Sequence, residues 1–205
     1  TDNLGLFANE FRYSPMIKKI DETESSIESS LTTVKLKRTF TPTLNVSSSY
    51  TLKFSNEIFH PYTDYVDSVI STSFSHYNDL GVLQTACKLQ DANGVLQVYR
   101  TTGATRITVA NNVGTVDYTD GKVSLTTFKP ISITSGLANV EVTVALASSD
   151  ITPFREQILL IANTDISISM VDTAGTGTDT SVSSTTAGGS TSGGSSGGGG
   201  LTGSY

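Results

Sequence analysis

The residues best suited to chemistry in this sequence are its two histidines, His60 and His76, and its single cysteine, Cys87. A nucleophile needs a base within hydrogen-bond reach, and neither histidine lies in a known catalytic motif. Cys87 falls in an alternating strand pattern, where a lone thiol is typical of core packing. The sequence therefore predicts no catalytic site, although a hydrolase site built from distant residues stays open as an alternative.

The acidic residues give no metal or cofactor motif either. Asp64, Asp67 and Asp79 lack the closely spaced pattern of a calcium loop and are predicted to be solvated loop carboxylates, while a glycosidase pair stays open. Gly197–Gly200 belong to a tract without the Lys and Ser/Thr of a phosphate-binding loop. We predict no cofactor, no metal and no small-molecule substrate.

The charge of the chain argues against a nucleic-acid partner. It carries 13 Lys and Arg against 19 Asp and Glu, a formal net charge of -6, whereas phosphate backbones attract basic surfaces. The longest aliphatic run, Ile158–Ala162, is far shorter than the roughly 20 residues that span a bilayer. A single cysteine suits assembly in a reducing cytosol. We therefore expect neither nucleic acid nor membrane as a partner.

A helical segment is predicted near the start of the chain. Ser14 followed by Pro15 is typical of a helix N-terminus, and a break is expected near Asp21 to Ser26. Spacings of about three, four and seven place a set of apolar residues on one helical stripe. These residues are Phe7, Phe11, Ile17, Ile20, Ile27 and Leu31.

Beyond Leu31 the apolar period changes to two, which predicts half-buried strands. The predicted strand segments are residues 34–37, 50–55, 69–74, 87–89, 95–99, 107–109, 116–118, 123–125, 140–146 and 166–170. Asp91–Gly94 and Thr119–Gly121 predict two antiparallel hairpins. Asn111-Asn112 and Ser135-Gly136 predict weaker turns, and Thr152-Pro153 predicts a single helical turn before a buried run at 158–161.

These elements predict a mainly β (α+β) fold with antiparallel, sandwich-like sheets. We expect a helical segment at 1–30, a β domain at 31–172 and a flexible tail rich in Gly, Ser and Thr at 173–205, because that tail has too few large side chains to form a core. The chain begins without Met, which predicts that it is part of a longer protein.

Several segments, in this order, resemble the baseplate wedge family of myoviruses. They are Phe11–Asp21 (FRYSPMIKKID), Ser26–Leu36 (SIESSLTTVKL), Tyr50–Asn56 (YTLKFSN), His60-Pro61, Val113–Tyr118 (VGTVDY), Gly121–Val123 (GKV) and Arg155–Ile161 (REQILLI). The resemblance extends from Leu4 to about Asp172. It implies a non-enzymatic virion protein, assembled in the host cytoplasm, that dimerises, helps to form a ring around the hub of a contractile tail, and contacts other wedge proteins.

Within this interpretation, Phe7, Phe11 and Tyr13 are predicted partner anchors, and Arg12 is a predicted polar partner contact. Large aromatic residues near an end of a fragment are typical interface anchors, although they can equally cap the core of this domain itself. Alternation predicts Lys35 and Lys37 on one exposed face of a strand, although the Lys35, Lys37 and Arg38 cluster could instead meet an acidic partner. A carbohydrate-binding or receptor-binding β-sandwich of a tail fibre stays the alternative, against which the absence of tryptophan counts.

Overall fold

The computed structural model describes residues 10–133, 138–153 and 159–169. The chain divides into two compact units, Thr1–Leu160 and Ile161–Tyr205. The described part of the first unit contains one α-helix, α1 (Tyr13–Asp21), and ten strands that pair antiparallel. This confirms the predicted mainly β class with a short helix near the N-terminus.

The strands follow the predicted alternation, but their bounds differ: the segment predicted at 69–74 forms two short strands, and the segments predicted at 107–109 and 116–118 form one long strand. The strands are β1 (Lys35–Phe40), β2 (Ser48–Lys53), β3 (Val69–Ser71), β4 (Phe74–Tyr77), β5 (Leu83–Ala92), β6 (Val95–Thr102), β7 (Thr105–Asp117), β8 (Lys122–Phe128), β9 (Ser132–Ile133) and β10 (Val140–Ala145).

The helix begins one residue before the Ser14-Pro15 pair that predicts its N-terminus, so Ser14 lies inside the helix and does not cap it. Helix α1 begins at Tyr13, and its N-cap residue Arg12 makes no side-chain capping bond. The Tyr13 N–H instead donates to Asp150 Oδ1 at 2.8 Å, so a carboxylate distant in sequence caps the helix. Pro15 is tolerated because the first four N–H groups of a helix have no intrahelical acceptor. The predicted break after Asp21 is confirmed, and Ile27 and Leu31 lie outside the helix.

The sheet has the strand order β1-β10-β3-β5-β6-β7-β8-β2, and β4 branches from β5 and also pairs with β9. Its two end strands, β1 and β2, are consecutive in the sequence. Their rings Phe40 and Tyr50 lie 4.7 Å apart, and the Thr43 N–H donates to the Tyr50 hydroxyl at 2.8 Å. These contacts bring the two ends of the sheet together, so the sheet is nearly barrel-shaped.

Both strongly predicted hairpins are confirmed, but the predicted turn at Asn111-Asn112 is wrong. Asn93 and Gly94 have positive φ angles between β5 and β6, and Gly121 has one between β7 and β8. At Asn112 the φ of 56° lies in a continuous strand β7. The pairing of β6 with β7 shifts register nearby, so the asparagine forms a bulge in place of a turn.

The core lies between the inward faces of the sheet. Val69, Leu89, Val98 and Val142 are fully buried, as alternation predicts for positions that face inward. Further fully buried aromatic side chains close the core: the rings of Phe74 and Phe128 pack edge to face with centroids 5.0 Å apart. This arrangement gives a rigid frame for the surfaces described below.

Two predictions near the C-terminal end are wrong. In the second unit, residues 166–169 form no strand, and the side chains of Ile166 and Ile168 are exposed, so the alternation has no buried face there. Leu160 and Ile161 are exposed too, against the predicted buried run at 158–161. The described part of the second unit contains a 3-10 helix at Asn163–Asp165. Residues 135–136, 154–158 and 170 lie outside the described residues.

Candidate assembly surfaces

The residue that precedes the N-cap of α1 forms backbone hydrogen bonds with a residue near the C-terminal end of the first unit. Phe11 and Ile151 form an isolated antiparallel bridge with two backbone hydrogen bonds of 2.9 Å, and both side chains are buried. The Tyr13 hydroxyl donates to the carbonyl oxygen of Thr32 at 3.1 Å. Phe11 and Tyr13 therefore hold the start of the helix against the chain itself.

The Arg12 side chain lies beside this bridge and is 60% exposed. Its guanidinium donates to the Glu10 carboxylate and, at 3.4 Å, to Asp150 Oδ2. The charge of Glu10 raises the pKa of Arg12, so the group stays cationic. Of the four predicted partner residues, Phe11, Arg12 and Tyr13 thus adjoin one another, and Phe7 lies outside the described residues.

Helix α1 offers an apolar stripe that the described part of the chain does not bury. Met16, Ile17 and Ile20 are only half-buried, and no residue of the helix is fully buried. Leu31, after the helix, is 98% exposed. Apolar groups that remain in water beside one another are typical of a surface that contacts another molecule.

A groove of about 610 Å³ opens beside the N-terminal segment. It is lined by residues 32–35, by the end of β10 and the residues that follow it, and by Ile70 of β3 with the loop before that strand. Phe59, Ile70 and Leu146 give the groove its apolar surface, and Lys35 and Asp67 give it one charge of each sign. We call this feature the groove.

Three aromatic rings lie in the loop at one side of the groove. Tyr65 packs edge to face with Phe59 at 5.8 Å and with Tyr62 at 5.5 Å. Tyr62 is 63% exposed, and burial raises the pKa of the Tyr65 hydroxyl. The Tyr62 ring is therefore exposed to solvent and is supported by its packing against Tyr65.

This loop is fastened to the β5–β6 turn. Asp64 and Asn93, both with positive φ angles, bond reciprocally: the Asp64 N–H donates to Asn93 Oδ1, and Asn93 Nδ2 donates to Asp64 Oδ1, each at 2.8 Å. The His60 ring stacks on Tyr118 with centroids 4.1 Å apart and planes 11° from parallel. The predicted loop carboxylate Asp64 thus has a structural role.

A buried carboxylate, Asp91, lies beneath the loop with no exposed surface. Its Oδ1 accepts from the Val69 N–H at 2.9 Å, and its Oδ2 accepts from the Tyr118 hydroxyl at 2.8 Å. That hydroxyl accepts in turn from the Gly94 N–H at 2.7 Å. Burial and the bond to Asp91 raise the pKa of Tyr118, so the phenol stays protonated and serves as a donor.

His60 and Ser68 complete this polar cluster without forming a catalytic triad. The Ser68 hydroxyl and Asp91 Oδ2 lie 3.5 and 4.0 Å from the same nitrogen, Nδ1 of His60. In a triad the imidazole connects nucleophile and carboxylate through its two different nitrogens. The distances therefore favour packing and hydrogen bonding. Among the described residues, no group of three or more His, Cys, Asp or Glu could hold a metal ion.

The second histidine, His76, lies in the core of the sheet. Its Nδ1 donates to the carbonyl oxygen of Tyr77 at 2.5 Å, whereas no described group bonds its buried Nε2. Burial lowers the pKa of His76, so the ring is neutral at pH 7. Cys87 is also buried, which raises the pKa of its thiol and confirms its predicted packing role.

The β4–β5 hairpin ends in exposed apolar side chains: Tyr77, Leu80, Val82 and Leu83. Leu80, at the turn, is 86% exposed. Asp79 precedes it, as the third of the predicted loop carboxylates. We call these four apolar residues, with Asp79, the apolar tip. The spacing of these residues does not predict the apolar tip, because an alternating segment has the same pattern whether its apolar face is buried or exposed.

The predicted basic strand face is present on β1. Lys35 and Lys37 are exposed on alternate positions of this end strand, and Lys37 lies 3.6 Å from a carboxylate oxygen of Glu141. Asp67, the remaining predicted loop carboxylate, accepts from Arg106 at 2.6 Å. No helix in the described ranges is long and apolar enough to cross a membrane.

Comparison with known families gives one match in the N-terminal part. Residues 1–39 match the family model described as baseplate structural protein gp6, C-terminal domain III. No curated protein matches the chain. The matched residues contain Arg12, α1, Leu31 and most of β1. This similarity supports a structural component of a phage baseplate.

Proposed function

We propose that this chain is a wedge subunit of a contractile tail baseplate of a myovirus, assembled in the host cytoplasm. In this proposal it dimerises, contributes to a ring around the hub and contacts other wedge proteins. The observation that carries it is the match of residues 1–39 to the gp6 domain model. The partly exposed apolar stripe of α1 falls within that match and supports a role in binding.

The partner surface that we propose is α1 with Arg12 and Leu31. Phe11 and Tyr13 contribute by fixing the start of the helix through Ile151 and Thr32. A helix held at one end keeps its orientation in the free chain, so less conformational entropy is lost on binding. Phe7 stays a predicted partner contact.

The proposal is tested by co-purification of the chain with the other wedge proteins of the same phage, followed by light scattering. Ile17→Gln and Ile20→Gln shorten the apolar stripe, and Lys19→Gln on the exposed face of the helix is the matched control. We expect the two isoleucine variants to weaken the complex at least tenfold and the control to leave it unchanged. A wild-type chain that binds none of these proteins refutes the wedge role.

A carbohydrate-binding module is the second candidate because of one observation. Phe59, Tyr62 and Tyr65 form an exposed aromatic surface, which supplies the flat rings that sugar faces pack against, although the chain has no tryptophan. Binding of the chain to a glycan array, lost in Tyr62→Ser, would favour this function. Absence of glycan binding together with a wedge complex would exclude it.

A further inference from the structure

The apolar tip is a projecting surface, and the groove is a recessed one. The tip is convex and ends in Leu80, whereas the groove is concave and lined by Phe59, Ile70 and Leu146. The groove is an open depression with a volume of about 610 Å³. One or two aliphatic side chains fit into such a space.

The tip is ordered before any partner binds. Asn78 Oδ1 accepts from the Leu80 N–H at 3.1 Å and from the Val82 N–H at 2.8 Å. The Asn78 N–H donates to the carbonyl oxygen of Val82 at 2.9 Å, and the Gly81 N–H donates back to that of Asn78 at 2.9 Å. These hydrogen bonds hold Leu80 in one position. Less conformational entropy is therefore lost when the Leu80 side chain inserts into a binding site on another molecule.

The charges of the two surfaces also correspond. Asp79 precedes Leu80 at the tip, and Lys35 lines the groove on the exposed face of β1. An acidic tip on a chain of net charge -6 is repelled by anionic lipid, so a membrane is disfavoured as its target. Asp67, the acidic group of the groove, is paired with Arg106 at 2.6 Å, so Lys35 is the charge of the groove that Asp79 can face.

The two surfaces lie at opposite ends of β5. Tyr77 pairs with Leu83 at the tip, and Ile70 pairs with Gln90 beside the groove. The seven residues from Leu83 to Gln90 correspond to roughly 20 Å along a strand. The tip of a chain therefore cannot reach its own groove, whereas a second copy can supply it.

We propose that the apolar tip of one copy inserts into the groove of the next, with Asp79 facing Lys35. This inference rests on the proposed baseplate role and gives its ring a contact between copies. Because tip and groove are different surfaces, the contact is heterologous and leaves a tip and a groove free at the two ends. Repetition of such a contact produces a closed ring or an open chain.

The test uses light scattering on the whole chain over a range of concentrations. Leu80→Asp removes the tip and Phe59→Asp removes the apolar wall of the groove, while Leu44→Asp, at another exposed leucine, is the matched control. We expect the mass of wild type and control to rise with concentration. Each of the other two variants should associate at least tenfold more weakly and stay near the monomer mass of 21.6 kDa.

Mixing the two variants distinguishes this contact from every symmetric one. The Leu80→Asp chain keeps an intact groove and the Phe59→Asp chain keeps an intact tip, so an equimolar mixture should form a two-chain complex and nothing larger. A mixture that stays monomeric overturns the proposal, and so does a wild-type chain that is monomeric at every concentration.

Charge exchange gives a second measurement that does not depend on the folding of Phe59→Asp. Asp79→Lys and Lys35→Asp should each weaken association, and combining both in one chain should restore it. If the tip and groove variants keep the wild-type mass while Ile17→Gln loses the wedge complex, the tip contact is wrong and the baseplate role stands. If the tip and groove variants lose self-association while the wild-type chain binds none of the wedge proteins, the tip contact stands and the baseplate role is wrong.

Discussion

Replacing Tyr118 by phenylalanine removes one oxygen from beside a buried carboxylate and leaves the ring in place. The His60 stack at 4.1 Å depends on the ring alone, so it is preserved. Two hydrogen bonds are lost: the 2.8 Å bond to Asp91 and the 2.7 Å bond from the Gly94 N–H. Asp91 is fully buried, so water does not easily replace the donor.

The expected cost follows from these two losses. A hydrogen bond to a charged group contributes about 1.5–3 kcal/mol, and a neutral one about 1 kcal/mol. We expect Tyr118→Phe to lower the free energy of unfolding by about 2–4 kcal/mol. For a chain of this size that corresponds to a fall in Tm of roughly 5–15 °C. Urea unfolding should show a lower midpoint with an unchanged slope.

The matched control is Tyr62→Phe, which removes the same atom from an exposed ring. We expect its unfolding free energy to stay within about 0.5 kcal/mol of wild type. If Tyr118→Phe also changes stability by less than about 0.5 kcal/mol, the reasoning about Asp91 is refuted. The double variant with Asp91→Asn should cost less than the sum of the single changes, because the two residues share one bond.

Three further changes test other parts of the structure. Burial lowers the pKa of His76, so the wild-type chain should lose stability as the pH falls below about 6.5. The free energy of unfolding should fall by at most about 1.4 kcal/mol per pH unit. In His76→Phe the slope of this free energy against pH should be smaller. Gly114→Ala should lower the free energy of unfolding in urea by about 1–3 kcal/mol, since the new Cβ would lie 2.1 Å from the carbonyl oxygen of Ser124. An unchanged free energy of unfolding would contradict this close approach. Asp150→Ala should lower the free energy of unfolding by about 1 kcal/mol, because it removes the acceptor of the Tyr13 N–H at the start of α1. Asp150→Asn keeps an acceptor and should lower this free energy less.

Local patterns were sufficient to predict most of the fold. The alternation at residues 34–37 and 140–146 predicts two strands with one buried face, and the structure pairs the corresponding strands β1 and β10. Asn93-Gly94 supplies the positive φ angles of a tight hairpin. At Asn112 the same tolerance of positive φ was interpreted as a turn, because a bulge depends on the partner strand and not on the local sequence.

The sites could be predicted only in part. Arg12 was singled out, but its proximity to Asp150 joins residues that are 138 positions apart. The cluster of His60, Tyr118 and Asp91 was missed for the same reason. Asp91 was interpreted as part of a hairpin turn, because no sequence period distinguishes a buried carboxylate from an exposed one. One feature of the sequence could have indicated the buried carboxylate: Asp91 lies in a region rich in predicted strands, where aspartate is uncommon.

Because Phe11 forms a bridge with Ile151, the N-terminal part of the fold can be completed only after the C-terminal part of the first unit has been synthesised. β1 pairs with β10, so the N-terminal part acquires its partner strand only after about a hundred further residues have been made. Contacts of such large sequence separation form late, because closing a long loop is entropically unfavourable. The cap of α1 at Asp150 comes later still. An incomplete chain therefore lacks an oriented helix, and premature assembly of unfinished subunits is disfavoured by the topology itself.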